Sequence, residues 1–182
     1  MMRRSRPGCT RLRQSLQAPF AGTIPTGRRP YGSWFASAWP KNMAANCLVD
    51  TGAIIAYLDR RDEWHELCRD AFAQLHVPLL TSTAALTELF HISKRRLEEG
   101  VVWTFLRSGV IVVGTISTDD FPHLHALMSR YAYRPMDFTD ATLVLLAQRE
   151  SITRIFTVDH ADFETYRVSG RRRFTIVPVT RP

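Results

Sequence analysis

The stretch Cys47-Leu48-Val49-Asp50-Thr51-Gly52-Ala53-Ile54-Ile55-Ala56-Tyr57-Leu58 decides the fold class. Three apolar residues make a short strand that ends in an acid. Thr51-Gly52 turns the chain, and the apolar run from Ala53 reads as a helix. A strand that passes through an acidic turn directly into a helix is the signature of an α/β unit.

Outward from this unit the same alternation continues. Apolar runs at 77–80, 110–113, 154–158 and 174–177 read as buried strands. Helices are expected over 62–76, 84–97, 98–107, 118–131 and 137–149. In the first of these, Trp64, Leu67, Cys68, Ala71, Phe72 and Leu75 recur at helical spacing. Thr81-Ser82-Thr83 and Thr118-Asp119-Asp120 supply cap residues. Strands that are apolar throughout, separated by helices of this length, form a mainly parallel sheet covered on both faces. The expected fold is therefore a three-layer α/β/α sandwich.

The chain has 182 residues and a formal charge of +7. That charge is unevenly placed. Residues 1–42 hold eight basic residues (Arg3, Arg4, Arg6, Arg11, Arg13, Arg28, Arg29 and Lys41) and no acid. From Met43 onward 16 basic residues face 17 acidic ones, a net −1. The first segment also carries five of the ten prolines and shows no helical or strand period. It is expected to be a disordered basic arm, because it has too little periodic apolar surface to offset chain entropy. Organellar leader, phosphate-binding arm and a true start at Met43, three residues ahead of the first strand, all suit it. The folded domain is accordingly expected over 43–182.

Three cysteines without a C-x-x-C pair do not make a disulfide framework, and suit a reducing cytoplasm. A membrane span is also excluded: the most apolar stretch, 101–116, is interrupted by Arg107 and two glycines.

Four acids fall where such a sheet binds ligands, beyond the carboxyl ends of its strands. Asp50 and Asp159 each follow an apolar run. Asp140 lies in the first turn of the helix that begins near Asp137, and Glu88 sits in the second turn of the helix after the 77–80 strand. At about 4 Å each like-charged pair costs about 1 kcal/mol in water and about 4 kcal/mol at an effective dielectric near 20. Six such pairs rival the stability of a whole domain, roughly 5–15 kcal/mol. A bound divalent cation relieves the repulsion, and an all-oxygen set suits Mg²⁺ or Mn²⁺ rather than zinc. Structural readings compete: Asp50 and Asp159 as turn formers, Asp137 as a helix cap with Asp140 as the acid three residues on. Glu88, among Leu86, Leu89 and Phe90, resists such a reading, since acids are rarely buried unpaired. The histidines make no site, and there is neither a nucleophile elbow nor a glycine-rich phosphate loop.

Leu48-Val-Asp50-Thr-Gly-Ala, Leu86-Thr-Glu88-Leu, Met136-Asp-Phe-Thr-Asp140-Ala-Thr-Leu and Phe156-Thr-Val-Asp159-His-Ala-Asp-Phe163 resemble the four acidic motifs of PIN domains, most of all those of VapC-type toxins in bacterial toxin–antitoxin pairs. The resemblance runs from about Asn46 to Val179. It implies an endoribonuclease dependent on Mg²⁺ or Mn²⁺, restrained by a small antitoxin whose tail enters the active groove, and commonly a homodimer. It maps the family's acids onto Asp50, Glu88, Asp140 and Asp159 as catalytic and metal-binding residues. It matches Thr157 to a hydroxyl position beside the last acid, and leaves Asp137 as an extra ligand or a cap. The basic arm matches nothing in the family. Lys94-Arg95-Arg96 and Arg171-Arg-Arg173 read equally as RNA contacts or as solvated faces. Two other readings stay open: a different Mg²⁺-dependent phosphohydrolase, such as a phosphatase, and a PIN-like binding module without turnover. The first is disfavoured because Asp50 lacks a second Asp two residues on.

Overall fold

Strand β1 (Cys47–Val49) lies at the centre of a parallel sheet, and its three side chains alternate between two separate cores. The computed structural model describes residues 45–98, 100–134 and 136–180, so the proposed basic arm lies outside the described residues. After β1 come helices α1 (Thr51–Leu58) and α2 (His65–Phe72), strand β2 (Leu79–Ser82), and helices α3 (Thr83–Arg96) and α4 (Val101–Arg107). Strand β3 (Ile111–Gly114) follows, then helices α5 (Phe121–Arg130) and α6 (Phe138–Glu150), strand β4 (Arg154–Phe156) and the single turn α7 (His160–Phe163). The hairpin β5 (Arg167–Ser169) and β6 (Arg172–Arg173) precedes the last strand, β7 (Thr175–Val177).

The sheet order is β3-β2-β1-β4-β7, with every neighbouring pair parallel. The chain builds outward from β1 through β2 to β3, then returns to lay β4 on the other side of β1. Between β1 and β4 the direction of building reverses, and in open parallel sheets ligands bind at such a switch point. Cys47, Val49, Leu79 and Phe156 face a core formed with α1–α4. Leu48, Leu80 and Ile155 face a second core built around α5, α6, Phe163 and Tyr166. Burial on both faces explains why these strands read as continuous apolar runs.

The expected three-layer α/β/α sandwich is the observed one, with local differences. The helix expected over 62–76 is confined to α2, because Asp62 turns the chain and accepts the Trp64 amide at 2.9 Å. The strand expected at 77–80 begins two residues later. Pro78 has no N–H to give, and the ladder starts with Leu79 N–H to the Val110 carbonyl at 2.8 Å. The 110–113 run is a half-exposed edge strand rather than a buried one, with Val113 41% exposed. Residues 118–120 form a 3₁₀ turn capped by Ser117, not Thr118, through a capping box with Asp120. Neither α7 nor the β5–β6 hairpin is foreseen by periodicity; both are too short to show one. Among the described residues no helix is long and apolar enough to cross a membrane, and Cys47 and Cys68 are free, buried thiols.

Candidate functional site

The β1–α1 turn presents Asp50 at the carboxyl end of the central strand. Asp50 is 8% exposed and caps α1, its Oδ1 accepting the Thr51 amide at 2.7 Å. Its own amide donates to the Phe156 carbonyl of β4 at 3.0 Å, which ties the backbone of residue 50 to the sheet. Oδ2 accepts the Thr157 hydroxyl at 3.0 Å, and the same hydroxyl oxygen accepts the Asp159 amide at 3.0 Å. Thr157, wholly buried, thus couples the acid after β1 to the acid after β4 across the switch point.

Thr51 performs a similar service toward α3. Its hydroxyl lies 3.1 Å from Glu88 Oε2 and 3.0 Å from the Ala85 carbonyl, with one hydrogen to share between them. Glu88 is half-buried on α3, a helix placed by Ser82, whose Oγ accepts the Ala85 amide at 3.1 Å and the Thr142 hydroxyl at 2.8 Å. The Ser82–Thr142 bond ties the β2–α3 turn to α6.

Helix α6 brings in the third acid. Asp137 is its exposed N-cap and accepts the Asp140 amide at 2.7 Å. Asp140 is half-buried, and its Oδ2 accepts the Tyr166 hydroxyl at 3.0 Å. Tyr166 is fully buried and packs edge-on against Phe163 and Tyr131. Asp159 caps α7 by accepting the Asp162 amide at 3.1 Å, and Asp162 in turn is paired with Arg134. Tyr166 and Arg134 are members of this site that no sequence pattern marks.

The electrostatics show that the acids share one field. Burial is the largest influence on Asp50 and, with Glu88 and Asp159 nearby, pushes its carboxyl up to about 6 against the pull of Thr157 and Thr51. Burial, followed by Asp137 and Asp50, raises Asp140 to about 8 in spite of the Tyr166 bond. Partial desolvation raises Asp159 as well. Among the described residues neither Lys nor Arg makes a salt bridge with Asp50, Glu88, Asp140 or Asp159. A buried and a half-buried carboxyl without a cationic partner are chemically suited to a divalent cation. Among the described residues, however, no three His, Cys, Asp or Glu side chains are drawn together closely enough to cage one. The donor set therefore fits an ion held through one or two carboxylates with several waters retained, the usual manner of Mg²⁺.

The basic runs divide. Lys94 and Arg95 are exposed, but Arg96 is bound to Asp59 at 3.0 Å and Asp62 at 2.7 Å. Arg171, Arg172 and Arg173 are exposed on or beside the β5–β6 hairpin.

Comparison with known proteins converges on one family. The model of the PIN domain family matches residues 47–168. Ribonuclease VapC26 of Mycobacterium tuberculosis is 25% identical over 134 residues, covering 72% of this chain and 99% of that protein. Among solved structures, Mycobacterium tuberculosis VapC20, described as a sarcin-ricin loop cleaving toxin, superposes with a TM-score of 0.57 at 21% identity, over 63% of this chain and 90% of that one. This second likeness bears on the fold.

Proposed function

The chain belongs to the PIN domain family, and from that premise we propose that it is an endoribonuclease dependent on Mg²⁺ or Mn²⁺ and the toxin of a toxin–antitoxin pair. The observation that carries this reading is the hydrogen-bonded acid set at the switch point, with Asp50 and Asp140 both raised by burial and by neighbouring acids. Such a set is destabilising for a bare fold and useful to one that binds a cation. The ribonuclease name of the 25% identical relative supports RNA as substrate.

Asp50 and Asp140 hold the cation, and Glu88 completes its surroundings. When bound, the ion supplies charge stabilisation at a scissile phosphate and lowers the pKa of a water. Asp159 orients the attacking water or a second ion. Thr157 fixes the direction of the Asp50 and Asp159 carboxylates, and Tyr166 that of Asp140. Asp137 acts mainly as the cap that sets the Asp140 backbone. Family likeness supports an antitoxin protein as the second partner and a homodimer as the assembly.

The test is cleavage of RNA by the purified chain with Mg²⁺ or Mn²⁺, repeated in EDTA and with Asp50→Asn and Asp140→Asn. Cleavage that needs the cation and both acids is the expected result. Hydrolysis of a phosphomonoester with RNA untouched would overturn it.

A further inference from the structure

A cleft of about 560 Å³ opens beside the acid set, within the roughly 300–1,000 Å³ range of ligand-binding clefts. Gly52 and Val158 line its end nearest the acids, one two residues after Asp50 and the other directly before Asp159. A Cβ on Gly52 would lie 2.8 Å from Val158 Cγ2 and 3.7 Å from Asp50 Oδ2. Val158 thus packs onto residue 52 in the space a side chain there would need, and this close pair ends the cleft on the side of Asp50 and Asp159.

Trp64 also lines the cleft. It is partly exposed, yet held from several sides. Its amide is bound by Asp62 Oδ1 at 2.9 Å, and Asp62 Oδ2 is bound by Arg96 of α3 at 2.7 Å. The next residue, His65, is tied through Nδ1 to the Ala56 carbonyl of α1 at 2.9 Å. The indole itself rests against the His160 ring of α7, centroids 5.3 Å apart. Arg61 joins the lining with its side chain 75% exposed; Nε is bound to Asp59 and Nη2 to Asp59 and the Arg96 carbonyl, which leaves Nη1 outside those bonds.

A rigid, half-exposed indole next to a site for a phosphodiester has a definite use. Every nucleobase offers a π-face to stack, and an adjacent guanidinium can reach the backbone phosphate. We propose that Trp64 is the stacking platform for a nucleobase adjoining the scissile phosphate of a single-stranded RNA segment, with Arg61 at its flanking phosphate. This rests on the endoribonuclease reading above. It assigns the cleft to substrate rather than to a protein partner, because Gly52 and Val158 at its end neighbour Asp50 and Asp159 in the chain, and because Trp64 lies against His160, the residue after Asp159.

The test uses the full chain carrying Asp50→Asn, which disables cleavage, and a short single-stranded RNA containing the fluorescent base aminopurine. Binding to the Asp50→Asn chain quenches the aminopurine. Adding Trp64→Ala abolishes the quenching and weakens binding about 10- to 100-fold, the range for loss of one base stack. Trp64→Phe restores both to within about 3-fold, which a merely structural loss of the indole would not do. On the otherwise unmodified chain, Trp64→Ala raises KM while kcat changes little. RNA cleavage by the unmodified chain together with unchanged quenching in the Trp64→Ala chain overturns the platform and leaves the endoribonuclease reading standing. No RNA cleavage by the unmodified chain overturns that reading first. Loss of binding to a protein partner on Trp64→Ala, with RNA quenching intact, gives the cleft to the partner and also overturns the proposal.

Discussion

The two flanks of the acid set reach similar chemistry by different construction. On the strand flank, Asp50 and Asp159 follow neighbouring parallel strands, and their carboxylates are aimed by backbone amides and by Thr157. The supporting bonds belong to the sheet ladder itself: Asp50 N–H to Phe156 and Thr157 N–H to Val177, both 3.0 Å. On the helix flank, Asp140 is held by a cap, Asp137, and by one hydroxyl from Tyr166, which lies in the segment after α7. The strand flank cannot shift without disturbing β1 and β4. On the helix flank the bonds that orient the acid come instead from the cap of α6 and from a single tyrosine.

The comparison breaks most completely at its two principal acids. Asp50→Asn and Asp140→Asn should each lower RNA cleavage on the order of 10³-fold or more, with little loss of folding, as read by single-turnover kinetics and circular dichroism. A smaller loss for one than for the other would rank the two flanks directly.

Thr157→Val tests the strand flank next. It strands Asp50 Oδ2 and the Asp159 amide in a buried place, so stability should fall by about 1–3 kcal/mol. Metal affinity should fall about 10- to 100-fold, as for other groups that orient ligands. Urea titration and Mn²⁺ titration read the two effects. Tyr166→Phe keeps the edge-on packing and removes only the hydroxyl. Its effect on metal affinity should stay near the lower end of that range, at about 10-fold. A larger effect from Tyr166→Phe than from Thr157→Val would reverse this ranking of the two flanks.

The mildest effect is one of pH. An unfolded aspartate titrates near 3.9, whereas folded Asp50 and Asp140 titrate at about 6 and about 8. The folded state thus binds protons more tightly than the unfolded one between those limits. The stability linked to these groups is full below about pH 4 and is lost as pH rises through about 6 and then about 8. In EDTA the urea midpoint should therefore fall from pH 5 to about pH 9. Saturating Mg²⁺ should restore it at the alkaline end, because a ligand that binds only the folded chain stabilises it. A midpoint that rises over this interval would contradict the burial of these acids.

Much of this was legible in the sequence for a physical reason: strands buried on both faces are apolar throughout, and an acid directly after such a strand stands out. Asp50 and Asp159 were visible on that ground, Glu88 and Asp140 from their places in the opening turns of helices, and Asp50 feels the charges of Glu88 and Asp159 as Asp140 feels those of Asp50 and Asp159. Tyr166 was not visible. It meets Asp140 across 26 residues and follows a single helical turn and no periodic element. Arg96 was half legible: a basic run at a helix end suggests solvent or RNA, but its partners Asp59 and Asp62 lie more than 30 residues away. Trp64 packs against the α1–α4 core as its helical spacing suggests, but as part of a shorter helix than expected. The early turn at Asp62 leaves it at the head of α2, where it also lines the cleft that ends at Gly52 and Val158.

The central claim is that buried, mutually repelling acids make this a cation site, and calorimetric titration of Mn²⁺ into the metal-free chain tests it most directly. Binding that is present in the unmodified chain and lost in both Asp50→Asn and Asp140→Asn is the predicted result. Binding that survives unchanged in those two variants, or RNA cleavage that proceeds with no cation bound, would contradict it.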